Sequence, residues 1–152
     1  MSYATFGEKL PDVTYTNRYG VYAVISNPEK TQIILVQAPN GAWFLPGGEI
    51  EEGENHLTAL ERELIEELGF TATIGRYYGQ ADEYFYSSHR DTYYYNPAYI
   101  YQVLEYQEVD KPLEDFNNLA WFSVDEAIDK LKRGSHKWGI EQWKFEQFEK
   151  KD

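Results

Sequence analysis

Three glutamates, Glu63, Glu66 and Glu67, fall within five positions of the stretch "ERELIEELGF". On an α-helix each residue turns by about 100°, so Glu63 and Glu67 lie one turn apart and Glu66 stands about 100° or less from each. The trio shares one flank, beside a stripe of Leu57, Leu60, Leu64 and Leu68 that is expected to face the core. A solvated acidic face normally carries Lys or Arg three or four positions from each Glu, because that spacing helps by about 0.2–0.5 kcal/mol and like charges cost a similar amount. Gly48–Phe70 instead holds eight glutamates, one arginine and no lysine. Such crowding calls for a cation from outside the chain. Clustered carboxylates raise one another's pKa, and a bound divalent ion reverses this and keeps them ionised. Oxygen ligands without a paired His or Cys point to Mg²⁺, with Mn²⁺ as the alternative, rather than Zn²⁺.

The elements that must position these side chains are readable. "LPGGEIEEGE" is a turn with glycines at 47, 48 and 53 that leads into a helix, so backbone amides and carbonyls can approach a ligand closely. The helix is predicted over His56–Leu68, with Asn55 as N-cap and Gly69 as its stop. Tyr19–Ser26 and Gln32–Gln37 read as adjacent strands joined by the turn "NPEKT", followed by a short apolar stretch Trp43–Leu45. Further strands are predicted over Thr71–Tyr78, Glu83–Tyr86, Tyr99–Tyr106 and Leu119–Phe122, and helices over Asp125–Leu131 and Ile140–Glu149.

Composition narrows the possibilities. A chain of 152 residues, 42% hydrophobic and 17% aromatic, is expected to fold as one globular domain spanning 1–152. It contains no repeat and no linker-like stretch. The absence of cysteine excludes disulfides, thiolate metal sites and a cysteine nucleophile. With no apolar run of about 18 residues and no secretory pattern, the expectation is a soluble cytoplasmic protein without a membrane partner. A net charge of −12 disfavours nucleic acid. A small polyanion remains compatible where metal ions sit between it and the protein.

Gly48, five residues, Glu54, seven residues, then Arg62-Glu63-Leu64-Ile65-Glu66-Glu67-Leu68-Gly69-Phe70 matches the Nudix box at every position. A chance match would arise at fewer than roughly one start in a hundred million at average composition. The chain therefore resembles the Nudix (MutT-type) hydrolases, and the order of elements from about Arg18 to Arg133 is similar too. The resemblance implies an α+β fold, an α/β/α sandwich with a mixed β-sheet. It also implies Mg²⁺-dependent hydrolysis of a nucleoside diphosphate linked to a group X, giving a nucleoside monophosphate and phospho-X.

The resemblance further implies roles for particular residues. Glu63, Glu66 and Glu67 correspond to metal ligands, joined by the Gly47 carbonyl. Glu63 is our choice for the base that takes the proton of the attacking water, with Glu67 or a later acid, Glu114 or Asp115, as alternatives. Arg62 would orient a catalytic glutamate, and Glu54 would support the loop or reach a metal through water. Gly48 and Gly69 would be structural. A non-catalytic nucleotide sensor and a diphosphate-ester isomerase are the rival readings on the same fold. Conversion of a nucleotide panel separates all three.

X is less legible; a dinucleoside polyphosphate or a modified nucleoside triphosphate fits. Nine of the 14 tyrosines lie between Tyr77 and Tyr101, where cross-strand packing is the stronger reading and a base-stacking platform with Trp43 the weaker. Tyr86 lies sixteen residues after the box, a placement similar to the dinucleoside-polyphosphate branch. The proline of ADP-ribose-type members is replaced by Phe85 and Tyr86. His89 and Arg90 are read as an exposed turn, His56 as solvent-facing, and His136 as part of the loop "RGSHKWG". Trp138, Trp143 and Phe148 are expected to pack on the sheet, in a monomer or a homodimer.

Overall fold

The computed structural model describes residues 2–113 and 117–149, so Glu114 and Asp115 lie outside the described residues. The predicted helix is α1, His56–Leu68. The Asn55 side chain accepts from the Thr58 amide at its start, and Gly69, at φ 72°, ends it with its N–H donated to the Ile65 carbonyl. Leu60, Leu64 and Leu68 are buried, each worth about 1.5–3 kcal/mol of apolar burial. Leu57 corrects the expected stripe, being 46% exposed. The inward place in that first turn goes to His56, whose ring lies 4.1 Å from Tyr99 and whose Nδ1 is hydrogen-bonded to the Tyr101 hydroxyl at 3.0 Å, so His56 is not solvent-facing as predicted.

Two sheets carry the rest. The larger contains β1 (Ser2–Phe6), β2 (Thr16–Asn17), β3 (Gly20–Val24), β6 (Gly47–Glu49), β7 (Phe70–Ser87) and β8 (Thr92–Glu108), in the order β1-β7-β8-β3-β6 with β2 beside β8. It is mixed, since β3 runs parallel to β8 and antiparallel to β6. The smaller sheet is β5-β4-β9, formed by Trp43–Phe44, Gln32–Gln37 and Asn118–Ser123. The two predicted neighbours β3 and β4 thus belong to different sheets, meeting at one isolated bridge between Ser26 and Ile33. Both edges of β3 are already taken by β6 and β8, which leaves no edge for β4.

Strand β4 is apolar without alternation because it is covered on both sides. Ile34 and Val36 join Leu60 and Leu64 of α1 in one core, whereas Ile33 and Leu35 join the second core. That second core includes Ala127 of α2 (Val124–Lys130) and Ile140 and Trp143 of α3 (Gly134–Lys144). The fold is α+β, with helices on both faces of the sheets as expected.

Several predicted boundaries move, among them that of the strand expected over Tyr99–Tyr106, which runs as β8 from Thr92 to Glu108. The two strands expected on either side of Gly79 are one long strand, β7, in which register shifts between Thr73 and Gly79 absorb the irregularity and Gly79 sits at φ 133°. Helix α3 begins at Gly134, so His136 is helical rather than in a loop. Its glycines lower helix propensity but permit contact with the sheet, since a Cβ on Gly139 would lie 2.9 Å from Ile100. Phe148 sits on a π-helical turn beyond α3, 59% exposed and edge-on to Trp143, rather than packed on the sheet. Among the described residues no helix is long and apolar enough to cross a membrane.

Candidate active site

The double glycine is a strand rather than a free turn. β6 pairs antiparallel with β3, placing Gly47 opposite Tyr22 and Gly48 opposite Val21. Gly47 has φ 142°, and a Cβ there would stand 2.1 Å from the Val21 carbonyl oxygen. A Cβ on Gly48 would stand 2.6 Å from the Glu63 carboxyl group. Both positions require glycine, one for the backbone and the other to let a carboxylate lie against the strand. The Gly47 amide donates to Glu67 Oε1 at 3.0 Å. Glu63 and Glu67 therefore point from one flank of α1 onto β6, in the arc between Ala59 and Leu60 on the helix face, at about 100° per residue.

Arg62 organises the other carboxylates. Its Nε and Nη2 donate to the two oxygens of Glu54 at 2.7 and 2.9 Å, a bidentate pair. Nη1 donates to Glu63 Oε1 at 3.0 Å and to Glu66 Oε2 at 3.1 Å, and Nη2 also reaches the Glu49 carbonyl at 3.1 Å. The Arg62 bonds, then the Glu51 amide, hold the Glu54 carboxyl down at about 2. Glu54 in turn is the chief cause that raises the Arg62 pKa above the usual arginine value. The single arginine thus ties loop 49–54 to the helix.

Glu63 and Glu66 converge on Arg62, while Glu67 turns to the Gly47 amide. Among the described residues no three His, Asp or Glu side chains gather into a ready-made metal cage. The donor chemistry nevertheless fits a hard divalent cation, because every candidate, the Glu63, Glu66 and Glu67 carboxylates and the Gly47 carbonyl, offers oxygen.

Beside this group lies a cavity of about 240 Å³, with Gly47, Gly48 and Glu67 among its lining. Arg18, Tyr22, Phe44, Phe85, Asn96 and Arg133 also line it. Arg18 is fixed through its backbone: its amide donates to the Tyr95 carbonyl at 2.9 Å, and its carbonyl accepts from the Asn96 side chain at 2.5 Å. The Arg133 guanidinium lies 3.3 Å over the Phe85 ring and 5.5 Å from that of Phe44. Burial pulls its pKa down from the usual arginine value. These residues were missed in the sequence, where no spacing links Arg18 to Arg133.

His136 is buried next to the cavity, its ring 4.3 Å from Tyr22. Its Nδ1 accepts from the Leu45 amide at 3.0 Å, just before Pro46-Gly47-Gly48. Burial, followed by the charge of Arg133, pushes its pKa down to about 3, so the ring is neutral near pH 7. The tyrosines serve cross-strand packing, as in Tyr84–Tyr95, Tyr86–Tyr93 and Tyr77–Tyr101. Tyr86 donates to Asp91 and is 46% exposed. Trp43 packs edge-on to Phe122, and His89 and Arg90 are exposed near the tip of the β7–β8 hairpin.

Residues 16–143 match the NUDIX domain family. A human diphosphoinositol polyphosphate phosphohydrolase is 31% identical over 110 residues, covering 68% of this chain and 56% of that protein. An Escherichia coli CTP pyrophosphohydrolase is 44% identical over 62 residues, 38% of this chain and 44% of that protein. An 8-oxo-(d)GTP phosphatase from Mycolicibacterium smegmatis is 26% identical over 107 residues, 70% of this chain and 31% of that protein. The matches thus span about a third to just over half of these relatives. Among solved structures, the Escherichia coli ORF135 protein superposes with a TM-score of 0.69 at 24% identity, covering 91% of this chain and 96% of that one. A NUDIX hydrolase from Nitrosomonas europaea gives 0.63 at 26%, covering 84% and 88%.

Proposed function

This chain belongs to the NUDIX domain family, and on that premise we propose that it is a Mg²⁺-dependent pyrophosphohydrolase cleaving a nucleoside diphosphate linked to X. Support comes first from the Arg62 fork, which holds Glu54, Glu63 and Glu66 in one network beside the Gly47–Gly48 strand. The relatives named above act, by their names, on 8-oxo-(d)GTP, CTP and diphosphoinositol polyphosphate. Each contains a phosphoric anhydride, and the nucleotides among them favour a nucleoside triphosphate for this chain, with a dinucleoside polyphosphate as the other candidate. We take residues 1–152 as one domain acting in the cytoplasm on a small nucleotide.

In this reading Glu63, Glu66, Glu67 and the Gly47 carbonyl would hold Mg²⁺, with Mn²⁺ as a substitute. The bound ion supplies charge neutralisation and Lewis-acid polarisation at the anhydride. Glu63 accepts the proton of the attacking water as its oxygen bonds to phosphorus and the bridging P–O bond breaks. Arg62 aims Glu63 by holding one of its oxygens, and Glu54 locks Arg62 in turn. The Gly47 amide fixes Glu67 against β6, and Gly48 leaves room for the Glu63 carboxylate. Glu67, Glu114 or Asp115 would serve as base if Glu63 does not. The products are a nucleoside monophosphate and phospho-X.

The test is product analysis on a nucleotide panel with Mg²⁺ for wild type, Glu66→Gln and Glu67→Gln. Turnover by wild type and loss in both variants is expected. Equal turnover by all three proteins would remove the mechanism.

A further inference from the structure

Arg18 and Arg133 share a cavity of about 240 Å³ with the Glu67 end of the site, and nothing in the hydrolysis described above uses them. Among the described residues neither guanidinium has a carboxylate within ion-pair distance, whereas Arg62, Arg76 and Lys144 all do. Each is half-buried. Glu83, the acid whose charge Arg133 feels, has one oxygen engaged by the Ser135 amide at 2.9 Å. Two cations in a small, partly desolvated space repel each other, and Arg18 does oppose the charge on Arg133. Aromatic faces soften this without neutralising it.

The same geometry argues against a stacked base on Phe85, because Arg133 already covers that ring at 3.3 Å. A neutral ring would in any case give neither guanidinium an ion-pair partner. A cavity of this size accommodates one group of a nucleotide rather than the whole molecule. Guanidinium forks match phosphate oxygens in geometry and charge.

We propose that Arg18 and Arg133 form a phosphate-binding subsite, so that the enzyme selects substrates whose X carries a phosphate beyond the anhydride that is cleaved. The substrate class then becomes nucleoside triphosphates and dinucleoside polyphosphates rather than nucleotide sugars with a neutral X. This selectivity rests on the hydrolase reading, whereas the subsite itself does not.

Calorimetric titration with inorganic tripolyphosphate in EDTA separates the two, because chelation removes any contribution from metal at the glutamates. Wild type is expected to bind. Arg18→Gln and Arg133→Lys should weaken binding by about 10- to 100-fold, the loss expected when a charge-assisted bond or its fork is removed. Arg90→Gln, at the hairpin tip, should bind like wild type, and circular dichroism should confirm that each variant is folded. Absence of binding by folded wild type, or equal binding by Arg18→Gln, overturns the subsite. Arginine-dependent binding without turnover of any nucleotide would leave the subsite standing and remove the hydrolase. In steady-state kinetics, ATP and diadenosine tetraphosphate should each exceed ADP-glucose in kcat/KM. Arg18→Gln should narrow that preference by about 10-fold through KM. An equal loss on all three substrates overturns the proposed selectivity.

Discussion

The acidic helix flank and the basic cavity beside it meet at Glu67, yet they handle like charge in opposite ways. On α1 and the loop before it the carboxylates are cross-linked from within, by one arginine that reaches Glu54, Glu63 and Glu66 and a glycine amide that holds Glu67. In the cavity the two arginines face no ion-paired carboxylate among the described residues, and Arg133 rests on aromatic rings instead. An internally braced cluster holds a geometry ready for chemistry. A cluster whose guanidinium groups lack an ion-paired carboxylate gains most from a ligand that brings negative charge.

Glu63→Gln tests the first half most severely. Loss of the proposed base should lower kcat by about 10²- to 10⁴-fold while the Arg62–Glu54 pair survives, measured by steady-state turnover. Activity close to wild type would move the base to Glu67 or to Glu114 or Asp115. Gly48→Ala should follow. Its Cβ would lie 2.6 Å from the Glu63 carboxyl group, and a displacement of about 1 Å there should cost up to about 10²-fold in kcat/KM. An unchanged rate would show that the carboxylate need not lie against β6.

His136→Phe probes the frame shared by both regions. Loss of the Nδ1 acceptor leaves the buried Leu45 amide unpaired, at a cost of about 1–3 kcal/mol in urea unfolding. The pH dependence is distinctive. A folded-state pKa near 3 lies below the ordinary value of 6.5, so the stability contributed by His136 is complete above pH 6.5 and is lost as pH falls toward 3. The variant should lack that slope. Glu54→Gln is expected to have the smallest effect on folding. Its carboxyl sits at about 2 in the folded protein against 4.5 ordinarily, so the stability that it adds is present above pH 4.5 and fades as pH drops toward 2. Acid titration of the variant should be flatter across that window.

The helix was legible down to its caps because Asn55, the buried Leu60, Leu64 and Leu68, and Gly69 act within a few residues of one another. That Arg62, Glu63, Glu66 and Glu67 share this one helix was legible for the same reason. Strands β3 and β4 were found as strands, but their separation into two sheets depends on β6 and β8, which occupy the edges of β3 from elsewhere in the chain. The structural part of His136 and the inward turn of His56 were hidden likewise, since a polar residue in a polar stretch carries no sign that Leu45 or Tyr101 waits across the fold.

Taken alone, the sequence determined the family, the acidic helix and the chemistry that its oxygen donors suit, because these are matters of local spacing along one helix and one loop. Tertiary structure decided which carboxylates Arg62 bridges and which one turns to Gly47. It also brought Arg18 and Arg133 to one cavity from opposite ends of the chain. Pairing energy and burial act between residues that only folding makes neighbours, so no periodicity in the chain encodes them.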